Sequence, residues 1–200
     1  MWKQAGIQFY LESLLTEEAA NQELYAGLDQ NRGEAHLRLV RPRASLSSRM
    51  FHLYYVGRMR PNGIAIESSH ELLFVKDTAE LNPVPGGIDE PLPRVTAHEI
   101  GHALSLPHRQ DTFNLMASGT TGTSLNEAEI ESARKAAEAF PWCLKPAEAL
   151  ARADERKTDR PAEAAALYAA LADLPASPVA DAARRGLADL AAGAKATPGR

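Results

Sequence analysis

The sequence predicts an α+β protein followed by a small helical appendage. Short runs of alternating or β-branched apolar residues are confined to the first 76 positions. Helical signatures dominate from Pro91 onward, and composition shifts to Ala, Arg, Asp, Glu and Leu after Pro146. The expected division is residues 1–145 as the main domain, 146–192 as the helical appendage and 193–200 as a disordered tail.

Residues 6–12 (GIQFYLE) read as a strand, because Ile7, Phe9 and Leu11 alternate with Gln8, Tyr10 and Glu12. Residues 13–30 hold no clean period and read as helical or irregular. HLRLVRP at 36–42 reads as a short strand stopped by Pro42, with a Ser-rich loop behind it. MFHLYYV at 50–56, aromatic and β-branched, gives the strongest strand signal. Beyond the Pro61-Asn62-Gly63 turn, GIAIE (63–67) reads as a short strand and ELLFVK (71–76) as a longer one.

LNPVPGGIDEPLP (81–93) carries four prolines and two glycines, so it is a loop that delivers the chain to a helix. Pro91 or Pro93 suits the first helical position. That helix should run to about Leu104 and bury Val95, Ile100, Ala103 and Leu104. LNEAEIESARKAAEAF (125–140) is a further helix, with Asn126 and Glu129 spaced as a capping box and Leu125, Ile130, Ala133, Ala137 and Phe140 facing the core. The appendage reads as three helices at 147–157, 162–174 and 178–192. The last two weakly resemble one tetratricopeptide unit, a class that binds protein partners through stacked repeats. A single unit has nothing to stack on, so a plain helical appendage is the simpler reading.

Composition narrows the function classes. The 200 residues are 44% hydrophobic and 24% charged with a formal net charge of −4, and no basic stripe suits nucleic acid. No apolar run approaches the ~20 residues that cross a bilayer. The one cysteine, Cys143, forms no intramolecular disulfide and reads as ordinary packing beside Trp142. Met1 leads straight into WKQAGIQFYLE, without the charged and apolar regions of a signal peptide.

The chemistry concentrates in VTAHEIGHALSLPHRQDTFNLM at 95–116. His98 and His102 lie four apart, so on a helix they share a face and can hold one metal ion. Glu99 is rotated by about 100° from His98 and can reach a water on that ion without being a ligand. Pro107 makes it improbable that His108 continues the helix, so the chain must turn to bring it back as a third nitrogen ligand. Three protein ligands leave the fourth position of a tetrahedral Zn²⁺ open, the layout of a catalytic site. His36, His52 and His70 show no paired spacing and read as surface or edge-strand residues.

HExxHxxxxxH followed eight residues later by Met116 resembles the metzincin metalloprotease signature, most closely that of bacterial matrixin-type enzymes. The resemblance implies a zinc endopeptidase acting on a peptide or protein, with Glu99 as catalytic base and Met116 as an apolar floor below the three histidines. It implies that the short strand GIAIE, through Gly63, Ile64, Ala65 and Ile66, is an antiparallel edge strand that pairs with extended substrate. Residues 119–124 would form the outer wall of the S1′ pocket, and 125–140 the closing helix. Ser105 stands where the family has a glycine in a left-handed turn, and Ala117-Ser118 replaces the usual Tyr-Pro after the methionine. Asp111 falls where matrixins tend to carry Asp. The likeness further implies that the family's first strand and most of its first helix are missing or lie upstream, and that the protein is extracellular or periplasmic. The rival expectation is a zinc-holding protein without useful turnover, acting through a partner on its C-terminal helices.

Overall fold

The computed structural model describes residues 1–30, 34–42, 50–66 and 71–196, with side chains through residue 192. The chain forms two compact units, one from Met1–Ala5 and Thr16–Trp142, the other from Gly6–Leu15 and Cys143–Arg200.

The first unit is α+β. Its helices are α1 (Gln22–Ala26), α2 (Glu34–Val40), α3 (Pro91–Ala103) and α4 (Glu127–Ala139); its strands are β1 (His52–Val56), β2 (Gly63–Ala65) and β3 (Leu72–Lys76). The sheet order is β1-β3-β2. β1 runs parallel to β3, with Tyr54 opposite Phe74, and β2 runs antiparallel to it, with Ile64 opposite the same Phe74. Leu72, Leu73, Phe74 and Val75 are all buried, the continuous apolar run of a central strand covered on both faces. Leu72 and Phe74 join Leu28, Leu37, Val40, Val56, Met59 and Ile66 in one core, whereas Val75 packs with Ala79 and Val95 of α3. Full burial of each such side chain contributes on the order of 1.5–3 kcal/mol.

α3 begins at Pro91, whose missing N–H costs nothing in the first turn. Its expected buried residues Val95, Ile100, Ala103 and Leu104 are inside, together with Arg94, Ala97, His98 and Glu99. α4 opens with the expected capping box: Asn126 Oδ1 accepts from the Glu129 N–H, and the Glu129 carboxylate accepts from the Asn126 N–H. Leu125, Ala133 and Ala137 are buried, while Ile130 and Phe140 are half-buried.

Several expectations need correction. Residues 6–12 form no strand and belong to the second unit, where Tyr10 packs against the helical core while Phe9 and Leu11 stay 40% and 66% exposed. The apolar alternation does not set the inward face: Tyr10 turns in while Phe9 and Leu11 turn out. HLRLV lies in helix α2, not in a strand: Leu37 and Val40, three apart, are buried, while Leu39 is 59% exposed. Cys143 is exposed and not a packing residue; its neighbour Trp142 instead sits 4.7 Å from the Phe140 ring, with Phe51 edge-on to both. The boundary falls between Trp142 and Cys143. The Ser-rich loop at 43–48, Glu67 and His70 lie outside the described residues.

The second unit contains α5 (Pro146–Arg156), α6 (Pro161–Ala172) and α7 (Pro178–Ala196), close to the three helices read from sequence. Each starts on a proline. α7 continues through Ala196, so the expected tail from 193 is helical in its first part, and 197–200 lie outside the described residues. α6 (PAEAAALYAALA) is apolar nearly all round and packs on both α5 and α7. Ala149, Ala153, Ala164, Leu167, Tyr168, Leu171 and Ala183 form the core. Among the described residues, no helix is long and apolar enough to cross a membrane.

Candidate metal centre

α3 sets His98 and His102 one turn apart with their Nε2 atoms 3.2 Å from each other, and His108 Nε2 lies 3.1 Å from that of His102. One ligand atom from each of the three falls within 4.8 Å of the others, and His98 is buried, His102 half-buried and His108 exposed. Three nitrogens bound tetrahedrally at ~2.1 Å would stand roughly 3.4 Å apart, close to the His98–His102 and His102–His108 separations.

The outer nitrogens fix the chemistry of the inner ones. His98 Nδ1 lies 2.8 Å from the Leu115 carbonyl, and His102 Nδ1 lies 2.9 Å from the Leu106 carbonyl. A carbonyl only accepts, so each Nδ1 carries the hydrogen and each Nε2 of the neutral ring presents a lone pair. Two lone pairs facing each other at 3.2 Å make no hydrogen bond; a cation between them resolves the repulsion. Burial first, helped by the neighbouring His102, Arg94 and His108 and opposed by the Leu115 hydrogen bond, pulls His98 down to about 3, so its ring is neutral at physiological pH. These residues can hold one metal ion.

The turn that returns His108 is a Schellman motif. Ser105 takes φ +65, its N–H donates to the His102 carbonyl at 2.9 Å, and the Leu106 N–H donates to the Gly101 carbonyl at 2.9 Å. The left-handed conformation expected at position 105 is therefore present with serine in place of glycine. The same turn supplies the Leu106 carbonyl that orients His102. After Pro107 the chain folds back as Arg109 N–H donates to the Met116 carbonyl at 2.9 Å. The Asp111 carboxylate accepts from the Phe113 N–H at 3.0 Å, and Asn114 Oδ1 accepts from the Met116 N–H at 2.7 Å. Met116 is fully buried under α3, where the missing side chain of Gly101 leaves room for its Sδ and methyl group.

Glu99 is 4% exposed and faces β2. A Cβ on Gly63 would meet Glu99 Oε1 at 2.3 Å, and the backbone of Ala65 hydrogen-bonds its carboxylate. Burial pushes the Glu99 carboxyl up to about 8, against the lowering pull of the Ala65 bond and of Arg94. A cation among the histidines would favour its charged form. β2 lies at the sheet edge, antiparallel to β3 as expected. Ile66 N–H donates to Leu72 and Lys76 N–H to Asn62, so the even-numbered residues bond to β3 and the peptide groups of Gly63 and Ala65 point outward.

Sequence reading missed the polar supports. Glu129, 1% exposed, accepts from Arg109 Nε at 2.6 Å, Asn114 Nδ2 at 2.8 Å and the Asn126 N–H at 2.9 Å. It thus ties the head of α4 to the residue after His108 and to the turn carrying Met116. Burial raises its pKa, but these hydrogen bonds and the Arg109 charge outweigh that and hold it below the ordinary carboxylate value. Arg94, 1% exposed, was also overlooked; burial pulls its guanidinium down to about 10, against the raising effect of Glu99. No spacing rule exposes these partners, because they join segments about fifteen to thirty residues apart. Compared with family models, curated proteins and solved structures, the chain matches none.

Proposed function

We propose that this chain is a zinc-dependent endopeptidase with a metzincin-like first unit. The observation that carries the reading is the convergence of three histidine Nε2 atoms beside a buried Glu99, with the Nδ1 atoms of His98 and His102 each held by a backbone carbonyl. The antiparallel edge strand, the left-handed turn at Ser105 and the buried Met116 support the metzincin likeness. His98, His102 and His108 would hold Zn²⁺, which when bound acts as a Lewis acid and lowers the pKa of water towards ~7.

The remaining work falls to the chain's own groups. The Gly63 peptide group and the Ala65 carbonyl offer an extended peptide the hydrogen bonds of one more strand, which places its backbone beside Glu99. Glu99 accepts a proton from the water that attacks the scissile carbonyl. It then delivers that proton to the leaving amine, so water is consumed and a carboxylate and an amine are released. The Ala65 hydrogen bond holds the carboxylate in place between these steps.

The test is cleavage of a diverse peptide library read by mass spectrometry, with Glu99→Ala in parallel and zinc content measured on both. The expected outcome is cuts by the wild-type chain only, a loss of at least ~100-fold in the variant, and equal zinc in the two proteins. Cuts that persist in Glu99→Ala would remove the base role. Folded, zinc-loaded wild type that cuts nothing would leave a non-catalytic zinc protein acting through its C-terminal helices.

A further inference from the structure

Arg94 precedes His98 by one turn of α3, so both side chains project from one face of the helix. They grip the same turn. Arg94 Nε donates to the Gly122 carbonyl at 3.0 Å, and Nη2 donates to the Ala117 carbonyl at 2.6 Å and more weakly to the Asn114 carbonyl at 3.4 Å. Leu115, whose carbonyl accepts from His98 Nδ1 at 2.8 Å, lies between Asn114 and Ala117. Burying a guanidinium is costly, and here its hydrogen bonds go to three carbonyls. A planar fork spreads its donors over three nitrogens and so reaches carbonyls that lie apart, whereas a lysine ammonium offers its donors from a single atom and an aliphatic side chain offers none.

We propose that Arg94 is a positioning residue of the metal centre, holding the carbonyls on either side of Leu115 so that the Leu115 carbonyl orients His98 and aims its Nε2 at the ion. The proposal rests on the reading of the three histidines as ligands. His102 provides an internal control: its orienting carbonyl, Leu106, belongs to the Schellman turn, whereas the bonds of Arg94 go to residues 114, 117 and 122.

The experiment uses Arg94→Met, which keeps the stem and removes the fork, and Arg94→Lys, which keeps the charge as a point donor. Zn²⁺ affinity is measured on the folded full-length chain by competition with a chromogenic chelator. The tautomer of each histidine is read in metal-free protein from imidazole ¹⁵N shifts. Arg94→Met should weaken Zn²⁺ binding by about 10–100-fold, as loss of an outer-shell partner does, and Arg94→Lys by less. His98 should lose its single Nδ1–H tautomer in the variants while His102 keeps its own. Unchanged affinity and an unchanged His98 tautomer, with only a lower Tm, would reduce Arg94 to a structural residue and overturn the proposal. If wild type binds no Zn²⁺, the ligand reading fails, and the His98 tautomers of the variants still decide whether Arg94 orients that ring. Should Arg94→Met not fold, the contrast between His98 and His102 in Arg94→Lys decides.

Discussion

The stretch between α3 and α4 and the three-helix unit fix their side chains by opposite means. Residues 105–124 hold no regular element, and their shape is set by buried polar groups: Arg94 on three carbonyls, Asn114 on the Met116 N–H and Glu129 on Arg109 and Asn114. In α5–α7 the core is alanine and leucine around Tyr168, whose hydroxyl donates to Asp154 at 2.6 Å, and the other buried polar group, Glu163, is held at 2.8 Å by Arg152 of the neighbouring helix. Hydrogen bonds specify direction, which an array of metal ligands needs; apolar packing specifies proximity, which a helix bundle needs. The difference predicts that mutations in the two regions fail differently.

The largest effect should come from the helical unit. Leu167 is 1% exposed at its centre, and Leu167→Ala should cost about 2–5 kcal/mol in transfer and cavity terms. A unit this small has little reserve, so denaturation followed by far-UV circular dichroism should show α5–α7 melting early. Zinc stoichiometry should stay at one per chain, because every histidine of the centre lies in the other unit. A parallel loss of zinc would break the contrast.

Glu129→Gln comes next and probes the polar region. The variant loses the charge that accepts from Arg109 and Asn114, at about 1.5–3 kcal/mol for charge-assisted bonds, towards the lower end because Arg109 is 42% exposed. The folded-state pKa of Glu129 is depressed below the ordinary 4.5, so its stabilisation is complete above about that pH and is lost as pH falls through the folded value. Wild-type protein should therefore lose stability on acidification below about pH 4.5, and the Gln variant should lack that part of the slope. Equal slopes in urea titrations at several pH values would show that the network is no more than a helix cap.

The same contrast explains which features were legible in the sequence. The helices at Pro91, Asn126, Pro146, Pro161 and Pro178 announce themselves through local rules, and so does the histidine spacing, since His98 and His102 share a helix face by periodicity alone. The misread segments are those whose partner decides the outcome. GIQFYLE has the period of a strand but pairs with none; it sends Tyr10 into the helical unit instead. HLRLV suits both periods, and only the burial of Leu37 with Val40 against the sheet selects the helix. Arg94 and Asn114 look like surface residues in a sequence, and Glu129 like no more than a capping-box partner, because a buried polar side chain carries no local signature of its distant partners.

The smallest effect tests how a helix end is terminated in each region. α3 must stop within one residue so that Leu106 and His108 can turn back, and it does so with Ser105 at φ +65. The helices α5 and α6 instead run out through Lys157 at φ −59 and Asp173 at φ −79, which any residue adopts without strain. Ser105→Gly removes a left-handed penalty of roughly 1–2 kcal/mol but gives back about 0.4–1 kcal/mol through the greater freedom of glycine in the unfolded chain. The balance should be a gain of about 0.5 kcal/mol, visible as a rise in Tm of one or two degrees, with zinc affinity unchanged because the Leu106 carbonyl already sits on His102. A fall in stability would mean that the serine side chain contributes a contact at this turn that offsets its backbone strain. A fall in zinc affinity alone would mean that the stiffness of a non-glycine residue at the turn helps hold His102 and His108 for the ion.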